Sequence, residues 1–216
     1  MVCMRSTCNA TFHEDVFNKC TLVVAGGTEA TLHSAHFKNM EQSEAGLSVY
    51  AHSSGSQVHL HGGGIHGGVQ GVVVHAAARL QASDLTVSDL QLAGLEVCGA
   101  ESLLTVQRGT IDRFLSPDEV NDHFREAQQG VCVHTHANAQ LSGVAIASMW
   151  QGCLVTNSAS VTLADCTALD TRTDCVNVSD GSTAQLSSCT LSSGGEGCHS
   201  LLQTPCRNGL ASSSSM

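Results

Sequence analysis

The sequence is short of proline, aromatics and charge, and each shortage excludes something. Two prolines among 216 residues, with 21 glycines that follow no three-residue period, exclude a collagen-type helix. Aromatics make up only 3% of the chain, too few for a platform on which single-stranded bases stack. Charged residues are 13% while hydrophobic residues are 42%, so global disorder is excluded and one domain with a real core is expected. Lys and Arg number 9 against 19 Asp and Glu, giving a net charge of −10 that repels a phosphate backbone. No apolar run approaches the ~20 residues of a membrane-spanning helix. Neither a nucleic-acid nor a membrane partner is therefore expected. Residues 1–17 lack a charged start followed by an apolar core, so no export signal is visible, and a cytoplasmic location with reduced thiols is expected.

The chain does have 11 cysteines and 12 histidines. No Cys-x-x-Cys or His-Glu-x-x-His spacing occurs, so no metal site is expected and the histidines are taken as outward polar residues. His59 and His61 flank Leu60, which the alternation turns inward. His33, His52, His66 and His75 lie in nearby repeats, and His134 and His136 frame a turn.

A repeat dominates the chain. Gly-apolar-x-apolar begins at Gly46, Gly71, Gly94, Gly130 and Gly152, with related copies at Thr21, Cys175 and Gly197. Most spacings are about 22 to 25 residues, and Gly94 to Gly130 is longer. Each copy continues with two more apolar pairs, such as Leu80 and Ala82 followed by Leu85 and Val87, or Val161 and Leu163 followed by Cys166 and Ala168. Alternation of this kind marks strands with one buried face. Three short strands per period leave no room for crossover helices. They fit a coil of three strands stacked at about 4.8 Å on the next coil. The copy at Gly46 is expected to carry three extra residues in its first turn. Cys166 and Cys189 share one position of the repeat, and Cys153, Cys198 and Cys175 or its neighbour share another. Small thiols stacking in a narrow core account for both groups.

The phase and the small turns resemble the right-handed parallel β-helix of pectin-lyase-like proteins over roughly residues 20 to 200. The resemblance implies an all-β right-handed parallel β-helix of about seven three-strand coils over 20–204, preceded by an N-terminal segment or partial cap at 1–19. The Ser-rich residues 205–216 read as a disordered tail. A short helical insertion is expected at 115–129. Ser116 is placed to cap it, Pro117 suits its first position, Glu119 completes a capping box, and Val120, Phe124 and Ala127 form an apolar stripe.

The favoured function is a non-catalytic interaction or scaffold domain for a protein or polysaccharide partner. Its outer faces and the insertion would bind, through Asp112, Arg113, His123, Phe124 and Arg125, with no cofactor. β-Helix modules of this kind accompany F-box and similar adaptors, which is what the resemblance implies for its role. The alternative is a polysaccharide lyase or glycoside hydrolase. It would act through Asp89, Asp112 and Arg113, with calcium as the one cofactor it could use. For that alternative Asp89, Asp112 and Asp170 are assigned one phase, which puts Asp89 and Asp112 on adjacent coils about 5 Å apart. The acid pairs and flanking bases typical of such enzymes are otherwise missing from the sequence, and a solvated Asp row is the plainer reading.

Overall fold

In the computed structural model the residues described are 2–5, 9–38, 47–112, 128–193 and 197–200. The chain winds coil upon coil. The first coil holds β1 (Val2–Arg5), β2 (Asn9–His13) and β3 (Val16–Asn18). Four coils follow as pairs: β4 (Leu22–Ala25) with β5 (Glu29–Lys38), β6 (Leu47–His52) with β7 (Gln57–His66), β8 (Gln70–His75) with β9 (Arg79–Ser88), and β10 (Ala93–Cys98) with β11 (Leu103–Asp112). Next comes β12 (Gln129–His134) with β13 (Asn138–Ala147). The last coils are β14 (Gln151–Val155), β15 (Ser160–Ala164) and β16 (Thr167–Thr171), then β17 (Asp174–Val178), β18 (Thr183–Ser187) and β19 (Thr190–Ser193), and β20 (Gly197–Ser200) opens another. The first strands of the coils form one parallel sheet, β1-β4-β6-β8-β10-β12-β14-β17-β20, and the remaining strands form an eleven-stranded one. From β4 to β19 the wall makes seven coils, so the expected parallel solenoid is what the chain forms.

The ten-residue strands are each two strands joined at a corner. Ser34, Asp84 and Arg108 sit there with φ of 52°, 55° and 52°, and Gly62 and Gly143 take the same conformation. A single left-handed residue turns the chain while the ladder of hydrogen bonds continues across it. This is the boundary between the second and third apolar pairs of the sequence repeat.

Inward residues stack in columns. Leu22, Val49, Val72, Leu95, Val131, Cys153 and Val176 are in register in the first sheet and are all buried. On the third side Phe17 stacks on Phe37 with centroids 4.5 Å apart, and Ile65 and Val87 continue the column. Burying this much aliphatic surface, at about 25 cal/mol per Å², is the main force closing the coil. The small-thiol reading holds: Cys153, Cys166 and Cys175 are buried free thiols in the core. Cys153 aligns with Val176 and Cys198, the neighbour of Cys175, and Cys175 itself takes the glycine place opposite Gly152.

That glycine place is the tightest point of the wall. A Cβ on Gly94 would lie 2.7 Å from the carbonyl oxygen of Gly130 and 2.7 Å from Ile111 Cγ2, and one on Gly130 would lie 2.7 Å from the carbonyl oxygen of Gly152. Consecutive coils approach too closely here for most side chains. In the earlier coils Thr21 and Ser48 stand in the same place, and the Thr21 hydroxyl donates to the Leu47 carbonyl.

One sequence expectation about phase is corrected. Leu47 pairs with Gln70 and Val49 with Val72, so Ser48 and not Gly46 matches Gly71. The turn from His52 to Gln57 is then only one residue longer than that from His75 to Arg79. The turn between Cys98 and Leu103 is also one residue longer, which puts Leu104 inward and Thr105 outward, where an unshifted count reverses them. The expected helix at 115–129 lies outside the described residues except at its end, where Gln129 already begins β12. The tail at 205–216 lies outside them as well.

Gly94→Ala tests the tight column. Glycine-to-alanine changes in compatible backbone usually stabilise slightly. Here the added methyl meets backbone on the next coil, and a loss of about 1–3 kcal/mol is expected, read as a melting temperature several degrees lower. An unchanged or raised melting temperature would contradict the close approach.

Candidate functional site

Outward residues repeat in rows for the same reason inward ones stack in columns. On the second side His13, His33 and His61 are in register, and their rings stack with centroids 4.8 Å and 5.1 Å apart. His59 lies beside His61, with rings 6.4 Å apart, and its Nε2 is 3.6 Å from Glu29 Oε1. The row ends at Ser83, whose hydroxyl is 3.3 Å from His61 Nδ1. Leu60 between His59 and His61 is buried, as the alternation requires.

The first sheet brings together a different set. Glu96 and Cys98 are two apart on β10 and so share its outer face. On β12 Cys132 stands opposite Glu96, and His134 opposite Cys98. His134 Nε2 is 3.2 Å from Glu96 Oε1, its Nδ1 is 3.0 Å from Thr135 Oγ1, and Gln70 Nε2 donates to the other Glu96 oxygen. One ligand atom each from Glu96, Cys98 and His134 lie within 4.8 Å of one another, and all three residues are half-buried. Hydrogen bonding to Cys98 and then to Glu96 raises the His134 pKa to about 9. Burial pushes the Cys132 thiol up to about 12, with the Glu96 charge adding to it. Cys132 is therefore not a nucleophile at neutral pH, and Cys153, raised further by complete burial, is not one either.

The acid pair expected for an enzyme is not aligned. Asp112, the last residue of β11, pairs with Ser88. Asp89 is the next residue along, in the left-handed conformation with φ 59°, and accepts a hydrogen bond of 2.9 Å from the Ser88 hydroxyl. The one-residue turn insertion before Leu103 is the cause. Asp170 does share the Asp89 conformation and aligns with Ser148, since Ala147 pairs with Leu169. Arg113, His123, Phe124 and Arg125 lie outside the described residues.

His66, Ser88 and Asp89 come together without forming a catalytic triad. His66 Nδ1 is 2.8 Å from Ser88 Oγ, and that hydroxyl donates to Asp89 Oδ2 at 2.9 Å. The serine proton is directed to Asp89 and not to the imidazole, the reverse of a triad's order, and the His66 ring stacks on His36 with centroids 6.4 Å apart. A shallow open depression, lined by Ser54, Gly55, Gln57, Ala77, Arg79 and Glu101, lies at the corner between the two sheets and contains no residue of this trio.

The family model described as a right-handed β-helix region matches residues 70–211, more than half of the chain. The chain belongs to the right-handed β-helix family. No curated protein and no solved structure matches it. The match fixes the hand of the β-helix and is consistent with the pectin-lyase-like superfamily. It assigns no residue of the β-helix a role.

Sequence reading along the chain misses the Glu96, Cys98 and His134 group because no two of its members from different strands are close in sequence. The signal lies across coils: Glu-x-Cys at 96 and 98 stands over Cys-x-His at 132 and 134. The long Gly94–Gly130 spacing hides that alignment until the register is known.

The pH dependence of His134 follows from its neighbours. A raised folded pKa gives stability that is fully present below the ordinary value of 6.5 and is lost as pH rises through about 9. In protein kept in chelator, the ring resonances of His134 are expected to titrate near 9, and Glu96→Gln to move that midpoint down. The melting-temperature gap between wild type and Glu96→Gln should be widest below pH 6.5 and should close above pH 9. A midpoint that Glu96→Gln leaves in place would contradict the assignment.

Proposed function

We propose that this β-helix is a non-catalytic interaction domain that holds a protein partner against its outer face. The observation that carries the reading is the stacked row of His13, His33 and His61, at 4.8 Å and 5.1 Å centroid spacing. Such a row presents ring edges at the spacing of successive strands, and these can hydrogen-bond to the side chains of a bound segment. The domain's rigid wall fixes these rings before the partner arrives, which lowers the ordering cost of binding. The scarcity of aromatics favours a protein partner over a glycan, because sugar rings usually need larger aromatic faces.

The test has two arms. On a panel of plant and algal polysaccharides, with and without calcium, no release of reducing ends or unsaturated products is expected. Turnover that Asp112→Asn abolishes would overturn the reading in favour of an enzyme. A photocrosslinking residue at Ser83, at the end of the histidine row, is expected to join the domain to a protein partner. The double substitution His33→Ser and His61→Ser should abolish the crosslink while the far-ultraviolet spectrum stays that of the folded domain.

A further inference from the structure

We propose that Glu96, Cys98 and His134 form a binding site for one borderline divalent cation of the zinc type, on a face separate from the histidine row. The donors are a carboxylate oxygen, a thiolate sulfur and an imidazole nitrogen. Thiolate and imidazole together select zinc-like ions, whereas calcium and magnesium require oxygen donors. A deprotonated Cys98 and Glu96 bring two negative charges, which balance the charge of the ion. Among the described residues this is the one group of three or more such donors close enough to share an ion.

The distances fit with a small contraction. Ligand atoms at the corners of a zinc tetrahedron lie roughly 3.5 Å apart, given bonds of about 2.0–2.3 Å. The His134 Nε2 to Glu96 Oε1 separation of 3.2 Å already matches that edge. The widest separation in the group is within 4.8 Å, so rotation of side chains about their Cβ atoms closes the rest without moving the sheet. Rigid elements hold every donor: Glu96 and Cys98 are on β10, and His134 ends the hydrogen-bonded strand β12.

Supporting contacts surround the donors. Thr135 Oγ1 lies 3.0 Å from His134 Nδ1, which leaves Nε2 facing Glu96 and the ion. Gln70 holds the second Glu96 oxygen. Partners of this kind fix ring and carboxylate orientation at metal sites. Three protein donors leave a fourth tetrahedral position for water or for a donor from a bound molecule.

Cobalt(II) and zinc(II) are the probes, added to the full chain after removal of metal with chelator under reducing conditions. One cobalt per chain is expected to give a sulfur-to-cobalt charge-transfer band in the near ultraviolet and visible bands of tetrahedral intensity. Zinc should displace it and raise the melting temperature. Cys98→Ser should abolish the charge-transfer band, and Glu96→Gln and His134→Gln should each weaken zinc binding tenfold or more in calorimetric titration. Because the chain carries other thiols, a charge-transfer band that survives in folded Cys98→Ser would overturn the proposal. So would the absence of any such band in the wild type, or zinc affinity unchanged in folded Glu96→Gln and His134→Gln.

Discussion

Every feature of this protein depends on how closely one coil can sit on the next. Parallel strands hydrogen-bond at about 4.8 Å, and at one position of each coil the backbones approach so closely that only glycine or a small residue fits. Gly94 and Gly130 meet that limit, each with the following coil's carbonyl where a methyl would go. Once the coils are held at this spacing, each position in one coil lies over its counterpart in the next. Inward positions become aliphatic columns. Outward positions become rows, and rows are how this fold gathers chemistry that is scattered in the sequence.

The two groups of interest are both consequences of that rule. Three histidines from different coils become a stack because they occupy one outward position in consecutive strands. Glu96, Cys98 and His134 converge because alternate residues of β10 face the same way and β12 repeats the same phase alongside. The rigid wall supplies the geometry in each case. The chemistry depends on which residue type falls at each outward position, and the inward columns place little constraint on that choice.

Much of this is legible in the sequence, and the failures have a common origin. The repeat, the three strands per coil and the inward identity of Leu80, Ala82, Leu85 and Val87 follow from alternation alone, because burial enforces it. The stacking of Cys166 over Cys189 is legible for the same reason. What fails is the phase after the turn at 99–102, which gains one residue. A slip of one residue exchanges the two faces of a strand. It sets Asp112 level with Asp89, when it pairs with Ser88. Turn length is poorly written in sequence, since Gly, Ala, Glu and Ser at 99–102 serve a turn of four residues as readily as one of three. The metal-type cluster is invisible along the chain because its members are neighbours only across coils.

The claim on which the rest stands is the register of β8, β10 and β12. Amide-to-amide nuclear Overhauser contacts in a perdeuterated sample measure it directly. The account predicts contacts that link Val74 with Val97 and Val97 with Val133, and that place Cys98 beside His134. Contacts displaced by one residue would turn Glu96 and Cys98 inward relative to His134 and contradict both the inward columns and the outward cluster.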